Sequence, residues 1–206
     1  MQSRSPKLSY VATLAAAVLA SAVASMPAHA GGKNTNFDMV RSPALAGIPA
    51  CVPNAAAHVS IASHGVTETM TVNVSGLPPN TDFDFFVIQQ PNGPFGMAWY
   101  QSDIETDQYG NGSVKVIGRF SKETFIVAPG SVPAPQTEPT DASSNPATGP
   151  IQTYHLGLWF NSFNDAAAAG CPATVTPFNG DHSAGIQVLN TSNFPDLSGP
   201  LLRIHP

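Results

Sequence analysis

Apolar and polar positions alternate with a period of two along most of the chain, the pattern of half-buried β-strands. Val59 and Ile61 share a face within residues 58–62. Met70, Val72 and Val74 share one within 66–74, with Thr69, Thr71 and Asn73 opposite. After a Pro78-Pro79 corner, Phe83, Phe85 and Val87 alternate with Asp84, Phe86 and Ile88. Large apolar groups on both faces from Phe85 onward predict a central strand. Further strands are predicted over 98–104, 113–120, 123–128, 154–160 and 185–190. Residues 106–112 (TDQYGNG) form a turn in which Gly110, Asn111 and Gly112 suit positive φ. Residues 31–50 show no periodicity and read as an irregular lead-in. Asp165 to Gly170 reads as one or two helical turns, capped by Asn164 or Asp165 and ended by Gly170. Residues 129–150, rich in Pro, Ser and Thr, predict a long flexible loop.

The corner Gly76, Leu77, Pro79, Thr81 and Phe83 is similar to the corner between two late strands of fibronectin type III domains. Two positions differ from that pattern. Phe83 stands where the family has a tyrosine whose hydroxyl bonds back to the corner backbone, and fewer strands precede the corner here. The corner also resembles one in the copper-zinc superoxide dismutase sandwich, where a His-x-His strand follows. Residues 82–86 (DFDFF) carry no histidine, so a copper site is not implied. The expected fold is all-β: an antiparallel immunoglobulin-like β-sandwich of about seven or eight strands, with one short helix and the long Pro-rich loop.

The N-terminus adds a destination. Arg4 and Lys7 precede an apolar run over 11–23, and Ala28-His29-Ala30 is a small-residue cleavage signal, so residues 1–30 read as a signal peptide. Residues 31–206 are then a single secreted or periplasmic domain, with no transmembrane segment after cleavage. The chain carries a formal charge of −5; the signal holds two of its eight basic residues and none of its thirteen acids, which leaves the remainder at −7. Nucleic acid is not an expected partner for so acidic a chain. In an oxidising compartment the two cysteines, Cys51 and Cys171, predict a disulfide.

Candidate chemistry is sparse. No G-x-S-x-G, H-E-x-x-H or phosphate-binding glycine loop is present. Asp181-His182-Ser183 holds triad residue types, but neighbours on an extended chain point to opposite faces, and a polar turn is the expectation. His58 and His64 lie too far apart along a strand to share an ion; joined by His155 or His182 they would form a two- or three-histidine site. Asp103, Glu105 and Asp107, with Asn111 across the turn, offer oxygens for a structural calcium, the one cofactor suggested. N-x-[ST] occurs at Asn73, Asn111 and Asn190. Phe95, Trp99, Tyr100 and Trp159 are the candidate ligand contacts, since exposed aromatic rings stack on sugars and other apolar faces. The expected function is a non-catalytic binding module for an extracellular carbohydrate or protein. The alternatives are a surface-associated structural protein and a metal-dependent or hydrolytic enzyme. A three-histidine cluster, or an Asp aimed at a His across a cleft, would favour the enzyme; an exposed Trp-Tyr strip would favour the module.

Overall fold

Strands dominate the computed structural model, which describes residues 34–122, 124–125, 151–176 and 183–205. In chain order they are β1 (Asn34–Arg41), β2 (Ala56–Ser63), β3 (Glu68–Ser75), β4 (Asp82–Ile88), β5 (Ala98–Glu105), β6 (Gly112–Gly118), β7 (Thr124–Phe125), β8 (Ile151–Gln152), β9 (His155–Phe160) and β10 (Gln187–Asn190). Among the described residues, helix is confined to α1 (Phe163–Ala168) and three short 3-10 turns. Eight strands form one antiparallel sheet in the order β5-β4-β9-β10-β1-β2-β3-β6, and β7 pairs with β8 separately. The two edge strands, β5 and β6, are joined by the turn at residues 106–111, so the sheet is nearly closed on itself. The signal-peptide reading, the loop over 129–150, Asp181 and His182 fall outside the described residues.

β1 corrects the irregular lead-in. Its alternation is short, with Phe37 and Met39 facing the core between Asn36 and Asp38. Pairing on both sides makes it a strand: residues 34–39 join β2, while Val40 and Arg41 join β10. This one strand therefore carries the sheet from its β2-β3-β6 half to its β10-β9-β4-β5 half. Facing side chains from both halves fill the core, with Val59, Ile61, Met70, Val72, Phe83, Phe85, Leu156, Leu158 and Phe160 all fully buried. β4 lies between β5 and β9 and is buried on both faces, as its apolar content predicts. At the other edge, Lys115 stands exposed at the centre of β6 and discourages further strand pairing.

The Pro-Pro corner is held differently from the tyrosine corner it resembles. Gly76 has φ +66°, and a Cβ there would lie 2.1 Å from the carbonyl oxygen of Asn54. Phe83 is buried in the core, and the hydroxyl that bonds back to the corner belongs to Thr106. It donates to the Pro78 carbonyl at 2.6 Å and accepts the Thr81 N–H at 2.9 Å.

Cys51 and Cys171 form the predicted disulfide, with Cα atoms 4.8 Å apart. The short helix delivers one of them. Ser162, rather than Asn164 or Asp165, caps α1: its hydroxyl oxygen accepts the Asp165 N–H, and its O–H donates to the Asp165 carboxylate. Gly170 then turns left-handed at φ +72°, with Gly170 N–H on the Ala167 carbonyl and Cys171 N–H on that of Ala166. On the other side, the Arg41 guanidinium donates to the carbonyls of Ile48 and Cys51 and fixes the loop that carries Cys51. No helix among the described residues is long and apolar enough to cross a membrane; this and the disulfide are compatible with a secreted or periplasmic protein.

Candidate functional site

β4 and β5 bring together side chains that are far apart in sequence. On the outward face of their ladder, Asp82 stands directly opposite Glu105, and Asp84 opposite Asp103. A bulge then inserts Gln101 into β5, after which Tyr100 faces Phe86. β9 extends the face with Trp159 beside Asp84 and Gly157 beside Phe86. One end of the face is thus acidic and the other aromatic. Like charges directly opposite one another destabilise a sheet, and Asp82, Asp103 and Glu105 form no ion pair among the described residues. Burial, and then the charges of Asp103 and Glu105, raise the Asp82 carboxyl above its ordinary range. The Tyr100 hydroxyl donates to Asp103 at 2.8 Å; burial first, and this bond second, push the phenol well above the usual tyrosine range. At the acidic end a recess of about 260 Å³ is lined by Asn80, Thr81, Asp82, Glu105 and Thr106.

The raised Asp82 carboxyl makes a prediction with a definite sign. A group whose folded value lies above its unfolded one destabilises the fold at neutral pH, and that cost fades as pH falls toward the ordinary carboxylate range. Asp82→Asn keeps an acceptor for the Phe83 N–H and removes the charge. The melting temperature is therefore expected to rise at pH 7.5, with the gain shrinking toward zero near pH 3.5. A lower melting temperature at pH 7.5 would show that the carboxylate is stabilising.

The candidate aromatics separate into two kinds. Trp159 is 4 % exposed, with its ring edge-on to Phe86 at 5.3 Å and to Phe95 at 5.1 Å. It closes a second small core on the outward face, so it is not a surface contact. Gly157 makes room for it, since a Cβ there would lie 2.4 Å from the indole. Trp99 and Tyr100 are 53 % and 42 % exposed. They do not form one strip: Trp99 pairs with the inward-facing Val87 and Tyr100 with the outward-facing Phe86, so they flank the β5 edge from opposite faces. The adjoining loop, residues 89–97, is pinned from within. The Pro91 carbonyl accepts from Gln187 Nε2 and Asn190 Nδ2, and the Met97 N–H donates to Gln89 Oε1. Asn190, one of the three N-x-[ST] asparagines, is consequently fully buried and hydrogen-bonded.

The calcium set is not gathered at one centre. Asp107 Oδ1 accepts the N–H groups of Tyr109 and Asn111 and so caps its own turn. Asp103 is engaged by Tyr100, and Glu105 faces Asp82. Among the described residues no three His, Cys, Asp or Glu side chains are placed to hold one metal ion. The histidines lie apart as well. His64 contacts Thr69, His155 is buried, and His58 Nδ1 lies 2.7 Å from Asp38 Oδ1.

The Asp38–His58 pair went unseen in the sequence, because it exists only once β1 pairs with β2. It borders a recess of about 430 Å³ that Asn73 and Ser75 also line. Its side chains are 71 % and 56 % exposed on an open sheet face, so water, not a closed cleft, surrounds them. Asp82 and Asp84 went unassigned for a similar reason, since their partners lie about twenty residues downstream on β5. No protein-family model matches the chain, and neither does any curated protein sequence, so the chemistry of these sites rests on their own residues.

Proposed function

We propose that the chain is an exported, immunoglobulin-like sandwich that acts as a non-catalytic binding module, and that its ligand is a hydroxyl-rich extracellular molecule such as a carbohydrate. The observation that carries this reading is the β5 edge. Exposed Tyr100 stands on the face that carries the carboxylates of Asp103, Glu105 and Asp82, which form no ion pair among the described residues. Exposed Trp99 stands on the other side of the same edge, so a ligand that straddles the edge meets both rings. Aromatic faces take the C–H faces of a sugar while carboxylates accept its hydroxyls. The pinned loop over 89–97 and the corner at 76–81 hold that edge in place before a ligand arrives, which lowers the entropy cost of binding.

A glycan array probed with residues 31–206 tests the reading, followed by titration of any hit. Trp99→Ala and Tyr100→Ala are each expected to weaken binding by about three- to tenfold, the worth of one aromatic contact. A hit indifferent to both substitutions would move the ligand elsewhere on the molecule.

One observation favours a second reading, glycosidic hydrolysis. Asp82 and Glu105 stand side by side on the ladder and both line the recess, and a raised carboxyl next to another carboxylate is the pairing an acid and its partner use. Turnover of the array hit, abolished by Glu105→Gln, would replace the binding module with an enzyme.

A further inference from the structure

We propose that His155 is an acid-sensitive latch that fastens the C-terminal segment, residues 191–203, across the end of the sheet. The hydrogen bonds around the ring are those of a neutral imidazole with its proton on Nε2. His155 Nε2 lies 2.9 Å from the backbone carbonyl of Asp196, which can only accept, so the ring proton sits on Nε2. Nδ1 then accepts, and its donor is the Thr191 hydroxyl at 2.8 Å. That hydroxyl's oxygen is already an acceptor, taking the Leu156 N–H at 3.1 Å. In the neutral ring each of these donors meets an acceptor, and the Thr191 hydrogen is spent on the imidazole.

Both ends of the latch belong to the segment. Thr191 begins it and Asp196 lies in its middle. Beyond them the Leu201 N–H donates to the Tyr154 carbonyl. Gly199 crosses so close that a Cβ there would lie 2.1 Å from that carbonyl oxygen and 2.9 Å from His155 Cε1. The segment then enters the main core with Leu201 and Ile204. A second proton on Nδ1 would turn that nitrogen into a donor, oblige the Thr191 hydroxyl to swing its hydrogen away from the ring, and place a charge on a ring with no exposed surface. The cost of that buried charge falls on the closed segment, and opening the segment returns the ring to water.

Among the described residues the groups facing the ring are few. Ile88 stands opposite it on β4, Tyr154 lies edge-on at 6.5 Å, and Asp196 supplies the one carboxylate whose field reaches it. Burial lowers the imidazole below its ordinary range, and outweighs the pull of the Asp196 carbonyl and carboxylate and of the Thr191 and Pro195 backbone. The latch therefore contributes fully above the ordinary histidine range, about pH 6.5. It weakens as pH falls below that, because the opened state takes up the proton that the closed state refuses.

Hydrogen exchange read by mass spectrometry at pH 7.5 and pH 5.0, corrected for the intrinsic pH dependence of exchange, tests this. In the wild-type protein, peptides covering residues 191–203 are expected to exchange faster at pH 5.0 than at pH 7.5. Peptides from β2 and β3 should keep their protection. His155→Gln, which is neutral at both pH values, should abolish the difference. Equal protection of the segment at both pH values, or a difference that survives in His155→Gln, would overturn the latch. Nitrogen-15 spectra of the wild-type imidazole give a check that needs no variant. A neutral ring with its proton on Nε2 at pH 7.5 supports the latch, and a proton on Nδ1 rules it out.

Discussion

Replacing Cys51 and Cys171 together by serine is expected to lower the free energy of unfolding by about 5 kcal/mol, the chain-entropy worth of so long a loop. The two cysteines are 120 residues apart in sequence, and their bridge joins the loop after β1 to the end of α1. Each half is positioned without the bond, Cys51 by the Arg41 guanidinium and Cys171 by the left-handed turn at Gly170. The serine variant should thus keep its fold where it is stable enough to be measured, and the loss should reflect the unfolded chain more than local rearrangement. Denaturant titration of wild type, reduced wild type and the double variant measures it, and peptide mapping without reductant verifies the bond. A loss under about 1 kcal/mol would mean that the unfolded chain is already compact around this loop. Because small domains are stable by only about 5–15 kcal/mol in total, the reduced protein is expected to unfold near physiological temperature.

Phe85→Ala is expected to cost about 3–5 kcal/mol, the range for truncating a buried phenylalanine. Phe85 has no exposed surface and lies in the middle of β4, paired with Ser102 on one side and Leu158 on the other. Neither neighbouring strand can close the gap, since β4 is hydrogen-bonded along both edges. Its neighbour Phe86 provides the contrast. It points to the other face, where it packs on Trp159 and Tyr100. Phe86→Ala is expected to cost less and to shift Trp159 fluorescence to the red, while Phe85→Ala should lower stability with the folded-state emission of Trp159 nearly unchanged. Equal stability losses and equal spectral shifts would mean that the two faces of β4 are not separate cores.

This separation of faces was half legible in the chain. Two large apolar runs on β4 announce a strand buried on both sides, and the alternation at 70–74 announces one half-buried sheet face. Local geometry sufficed there, because the period of a strand is a property of neighbouring residues. The disulfide was legible through cysteine count and compartment. The helix was legible through its glycine stop, although Ser162 outcompeted both expected caps because its hydroxyl reaches the Asp165 N–H.

What the chain alone determined, then, is the set of strands with strong local alternation, the all-β class, the short helix and the bridge between its two cysteines. Only the tertiary structure decided that Asn34–Arg41 is a strand, since two apolar side chains become a pattern only when β2 and β10 pair with them. It also decided the sites. Asp38 meets His58, Asp82 meets Glu105, and His155 meets Thr191 and Asp196 through ladder register or chain return over twenty or more residues. It buried Trp159 and divided Trp99 from Tyr100 as well. Burial and charge opposition depend on which distant side chain stands across the ladder, and one slip of register would send every such pair to opposite faces.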